Sequence, residues 1–127
     1  MGNAYLLFLM LDLLRLWKFS RPHTIIGTSL SVFALYAIAL ATTDSSIFQP
    51  DLGQLFGTWI ACLCGNVYIV GLNQLYDVEI DRINKPDLPL ASGEFSITQG
   101  KWIVGITGIL AITIAAVLGQ WLLTTVV

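Results

Sequence analysis

Charge is scarce in this chain. Only 11 % of its 127 residues are Asp, Glu, Lys or Arg, where a soluble domain carries roughly a quarter. With 56 % hydrophobic residues and a mean hydropathy of +0.79, that scarcity excludes a water-soluble globular domain and indicates a membrane protein. Cysteine is equally thin. Cys62 and Cys64 both lie in an apolar stretch, and no disulfide framework is implied. Two positions apart on a helix they diverge by roughly 200°, so they cannot hold one metal from one face. They read as small packing residues. The formal net charge of −2 supplies no basic excess, and nucleic acid is not expected as a partner. The first residues lack the basic start and small-residue cleavage site of a secretory signal, and the Arg- and Ser-rich leader of an organellar transit peptide. A bacterial or already mature membrane protein is the expectation. Internal repeats and low-complexity segments are absent from the sequence.

What is present is long apolar runs. Residues 4–18, AYLLFLMLDLLRLWK, are broken by Asp12 and Arg15 and too short to span, which predicts an interfacial helix. A first transmembrane helix is expected at about 24–42, with Ser20 placed to cap it and Pro22 in the first turn, where proline is tolerated. The segment TTDSSIFQPD reads as a turn. A second helix is expected at about 52–80, running continuously through Asp77, and a third at about 97–126. Between them RINKPDLPLASGEF reads as a polar, ordered loop, and Ser96 with Gln99 forms a capping-box pattern. Gly105, Gly108 and Gly119 are expected to admit close helix neighbours. The fold class is therefore all-α membrane protein with three transmembrane helices, all within residues 1–127.

The six basic residues set the topology. Arg15, Lys18 and Arg21 precede the first span, and Arg82, Lys85 and Lys101 lie between the second and third. The connection between the first two spans has only Asp44 and Asp51. The positive-inside rule then puts the N-terminus and the 73–101 region on the cytoplasmic side.

At the end of the second span Asn73, Asp77 and Asp81 recur at four-residue spacing. On a helix they fall at roughly 0°, 40° and 80°, on one face. Carboxylates so placed are about 5–6 Å apart, and repel by on the order of 3 kcal/mol at an effective dielectric near 20. A hard divalent cation reverses that sign, and Mg²⁺ keeps open positions for phosphate oxygens. Arg82 and Lys85 follow at once, suited to charge-assisted bonds with phosphate. Glu79 lies roughly 200° from Asp77 and is not counted as a ligand. On the residues alone two readings stand: a metal–diphosphate site, its acidic face turned into a cavity rather than toward lipid, or a structural polar rim.

The stretch NQLYDVEIDRINKP resembles the first aspartate-rich signature, N-x-x-x-D-x-x-x-D, of the UbiA-type membrane aromatic prenyltransferases. FSRPHTIIGT resembles the start of their first helix, and the continuation to DLPLASGEFS is similar to the homogentisate phytyltransferase-like branch, which serves tocopherol and plastoquinone synthesis. The resemblance implies Mg²⁺ as cofactor, with Asn73, Asp77 and Asp81 as its ligands and Asp77 and Asp81 as the catalytic residues. It also implies Asn73, Arg82 and Lys85 as contacts of a prenyl diphosphate, and Arg21 near the aromatic acceptor, homogentisate. His23 reads as a helix-start residue. Such enzymes ionise an allylic diphosphate, alkylate the ring with the carbocation, and in this branch lose the ring carboxylate as CO₂. A cyanobacterial thylakoid or plasma membrane is the implied location.

The family bundle has about nine helices and a second aspartate-rich motif, and fold alone does not confer the activity. This sequence holds three spans and one motif. The expectation is the N-terminal part of a prenyltransferase domain, inactive alone and needing a C-terminal half or partner helices. The competing expectation is a non-catalytic three-helix membrane protein that binds a divalent cation or partner helices.

Overall fold

The computed structural model describes the backbone of residues 2–42 and 51–126 and the side chains of 9–42 and 51–119. The expected turn over TTDSSIFQPD lies almost wholly outside the described residues. Five helices follow in order: α1 Gly2–Phe19, α2 Pro22–Thr42, α3 Leu52–Tyr76, α4 Val78–Asn84 and α5 Ile97–Val126. α2, α3 and α5 are long and apolar enough to cross a membrane. Their windows are 0 %, 17 % and 6 % buried, so nearly all of this apolar surface is left for lipid or other helices. α1 carries exposed Leu13, Leu14 and Trp17 beside Arg15 and Lys18, a composition suited to a membrane interface.

Helix starts follow local chemistry. Pro22 opens α2 as expected, but Ser20 does not cap it. Its hydroxyl instead donates to the Trp17 carbonyl at 2.9 Å, satisfying the end of α1. The Arg21 carbonyl starts α2 by accepting from Thr24 N–H at 2.9 Å, and Thr24 Oγ1 donates to it at 2.8 Å. Asp51 caps α3, accepting from Gly53 N–H at 2.8 Å. The capping box of α5 forms in full: Gln99 N–H donates to Ser96 Oγ at 3.1 Å and Ser96 N–H donates to Gln99 Oε1 at 2.8 Å.

α3 is the central helix, packed chiefly on α5, then on α2, and touching α1. Polar bonds tie it to α2: Trp59 Nε1 donates to Ser29 Oγ at 2.9 Å, and Asn66 Nδ2 donates to Thr24 Oγ1 at 3.0 Å. Of the three glycines singled out in α5, only Gly108 lies in close contact, with the Tyr68 ring 2.7 Å from where a Cβ would stand; Gly105 and Gly119 face open space. The tightest approach is at Gly71 of α3, where a Cβ would meet Val104 at 2.5 Å and Phe19 at 2.9 Å.

The buried core sits at one end of the bundle. Phe19, Val78, Leu90 and Val104 join there, with Leu75 and Phe95 against them. The loop expected over 82–95 is helical as far as Asn84; beyond it Pro89 and Leu90 are buried, and Phe95 N–H donates to Pro89 O at 2.9 Å. Lys18 and Glu94 close the same end with an ion pair of 3.0 Å.

Candidate metal–diphosphate site

The second span does not run unbroken to residue 80. α3 ends at Tyr76, the chain bends at Asp77, and α4 begins at Val78. Asp77 has φ −100° and ψ 16°, close to the bridge region rather than the helical one. The bend redirects the chain so that Val78 and Asp81 become the buried residues of α4, with Val78 in the core beside Phe19. Burial of that valine against the 85–96 connection is a long-range contact, which helical periodicity does not anticipate.

The four-residue ladder survives the bend. Asp77 N–H donates to Asn73 O at 2.9 Å, Asp81 N–H to Asp77 O at 2.7 Å, and Lys85 N–H to Asp81 O at 2.7 Å. Asn73, Asp77, Asp81 and Lys85 thus follow one another along a single run of backbone bonds. Their side chains differ in setting. Asn73 and Asp77 are exposed, and Asp77 makes no side-chain capping bond. Asp81 is buried, at 6 % exposure, and its carboxylate lies 3.4 Å from Lys85 Nζ. The expected cavity over the acidic face is not closed by the described residues: Asn73 and Asp77 stay exposed.

Arg82 is engaged elsewhere: its Nη1 donates to Glu79 Oε1 at 2.8 Å, and both side chains are exposed. Arg21 lies between α1 and α2 with φ 53°, the left-handed region, which costs a non-glycine residue on the order of 1 kcal/mol. It lines an open groove of about 450 Å³ together with Lys18, His23, Lys85 and Asp87. The fold therefore brings Arg21 and Lys85, far apart in sequence, to one groove, and His23, read as a helix-start residue, lines it too.

Among the described residues no group of three or more His, Cys, Asp or Glu side chains is gathered to hold a metal. Asn73, Asp77 and Asp81 offer oxygen donors of the kind a hard cation takes, but only two are carboxylates and one of these is already paired with Lys85. The donor type fits Mg²⁺; the number is that of part of a site.

Two polar residues of α3 escaped the sequence reading. Asn66 precedes Asn73 by seven positions, on the same helical face, and that spacing is a usable signal. Gln74 is 3 % exposed, and its Nε2 donates to the Phe19 carbonyl at 2.7 Å. Only the tertiary contact reveals it.

Residues 29–127 match the UbiA prenyltransferase family. The chain is 61 % identical to the homogentisate phytyltransferase of Synechocystis sp., over 87 % of this chain and 36 % of the relative. It is 45 % identical to homogentisate phytyltransferase 1 of Arabidopsis thaliana, over 83 % of this chain and 26 % of that protein. The homogentisate geranylgeranyltransferase of Hordeum vulgare is 47 % identical over 69 % of this chain and 21 % of its own length. The chain thus spans about a third or less of the length of these relatives. No solved structure matches it. With all but its first helix and the α2 start covered by the match, the chain belongs to the UbiA prenyltransferase family.

Proposed function

We propose that this chain is the N-terminal part of a prenyltransferase domain that moves a phytyl-like group from its diphosphate to homogentisate, in tocopherol or prenylquinone synthesis. The observation that carries this reading is the 61 % identity over 111 residues, a span long enough that it must include the ladder from Asn73 to Lys85.

Asn73, Asp77 and Asp81 would hold Mg²⁺, which when bound supplies charge neutralisation on the departing diphosphate. Asp77 and Asp81 are the residues on which transfer depends most, because each contributes a full negative charge. Lys85 and Arg21, sharing one groove, supply positive charge to the diphosphate and to the carboxylate of the acceptor. Arg82 joins them by exchanging Glu79 for a phosphate oxygen; the pair is exposed and so weakly held. The apolar faces of α2, α3 and α5 are left for lipid and for the remaining helices and second acidic cluster of the domain. The basic residues gathered at one end favour a cytoplasmic side for that end, and the similarity to the Synechocystis relative supports a cyanobacterial thylakoid or plasma membrane.

The test is an assay of the full-length membrane enzyme that contains these residues, with phytyl diphosphate, Mg²⁺ and carboxyl-labelled homogentisate. Prenylated product with release of labelled CO₂ is expected. Failure to turn over any homogentisate with phytyl, geranylgeranyl or solanesyl diphosphate overturns the reading.

A further inference from the structure

Gln74 is the polar member of the buried set on α3, alongside Leu55, Val70 and Gly71. Its Nε2 reaches across 55 residues of sequence to the Phe19 carbonyl at 2.7 Å. Its Oε1 is sealed from solvent and accepts no bond among the described residues. Rotating the amide would set oxygen against oxygen, so the carbonyl of Phe19 decides which end points to it. A buried acceptor left without a donor is costly, and an apolar side chain would fill the same space without that cost. The amide is therefore kept for its donor, and the donor acts on the backbone between α1 and α2. Phe19 itself is fully buried, and Gly71, one turn before Gln74, leaves its ring room against α3. Two residues beyond Phe19 stands Arg21, in the left-handed region and lining the groove with Lys85. A backbone so placed relaxes unless its neighbours hold it.

We propose that Gln74 is a positioning residue: by anchoring the Phe19 carbonyl it fixes the α1–α2 corner, and so sets Arg21 in the groove with Lys85 beside the acidic ladder. The inference rests on the proposed diphosphate chemistry for its function, and on geometry alone for the corner.

Two measurements test it, the first on this chain in lipid nanodiscs and the second on the full-length enzyme. In Gln74→Leu, and in Gln74→Met, which keeps the length, the amides of Thr24 and Ile25 should exchange at least tenfold faster, with α5 amides unchanged. Equal exchange overturns the inference whatever the ligand. The full-length enzyme is then titrated with inorganic pyrophosphate and Mg²⁺. Gln74→Leu should weaken binding about tenfold, and should add nothing in an Arg21→Ala background, because one acts through the other. Additive losses overturn the positioning role, which a merely structural side chain would produce. Absence of pyrophosphate binding by the wild type would instead overturn the proposed function, with the exchange result still deciding the corner.

Discussion

The Asp81 carboxylate lies 3.4 Å from Lys85 Nζ, the acid side chain 8 % exposed and the base 52 % exposed. Asp77, one turn earlier on the same run of backbone bonds, is exposed. On the proposed metal role both aspartates serve the chemistry and only Asp81 also serves the fold, so substitution separates the two contributions. Asp77→Asn and Asp81→Asn should each lower the activity of the full-length enzyme by orders of magnitude, since several kcal/mol of charge stabilisation is removed and each 1.36 kcal/mol is about tenfold. Only Asp81→Asn should also lower stability, by about 1 kcal/mol, because its half-exposed partner is screened by water. Glu79→Gln, which merely releases exposed Arg82, should stay within about twofold. Steady-state rates with thermal melts in detergent check the set. If Glu79→Gln were the worst of the three, the polar-rim reading would replace the metal site.

The 127-residue chain alone should not prenylate homogentisate. Stabilising a departing diphosphate requires charge on more than one side of it, and these residues gather only two carboxylates on the ladder. Purified chain with Mg²⁺, homogentisate and phytyl diphosphate should give no product, and robust turnover would show that the second acidic cluster is dispensable.

Glycine substitutions in the spans should sort by contact. Gly71→Ala drives a Cβ to 2.5 Å from Val104 and 2.9 Å from the Phe19 ring, overpacking that typically costs about 1–3 kcal/mol. Gly105→Ala meets nothing within 4 Å and should be neutral or stabilising by up to about 1 kcal/mol, the helix preference of alanine over glycine. Unfolding in mixed micelles reads both. A Gly105 variant less stable than the Gly71 variant would contradict the packing described.

Orientation is open to labelling. With Cys62 and Cys64 replaced by alanine, Asn84→Cys should react with a membrane-impermeant maleimide only from the cytoplasmic side, and Asp51→Cys only from the opposite side. The reverse pattern would break the assignment from Arg15, Lys18, Arg21, Arg82, Lys85 and Lys101.

The sequence by itself determined the three long apolar helices, the capping box at Ser96 and Gln99, and the four-residue spacing of Asn73, Asp77 and Asp81. Each depends on neighbours three or four residues away, and such local periodicities survive without a folded context. Composition likewise sufficed for membrane class, because runs of about 20 apolar residues with almost no charge are long enough to cross a bilayer as helices. Tertiary structure alone decided the bend at Asp77, the burial of Asp81, the partner of Gln74 and the groove shared by Arg21 and Lys85. The bend follows the burial of Val78 against Phe19, Leu90 and Val104, which come from three other parts of the chain. Gln74 sits one position from Asn73, and nothing in its spacing distinguishes a surface amide from one that reaches a carbonyl 55 residues away. Ser20 looked like a helix cap, yet the carbonyl of Trp17 at the end of α1 was the nearer unsatisfied group. Contacts between distant segments carry no local period, so only the packed chain discloses them.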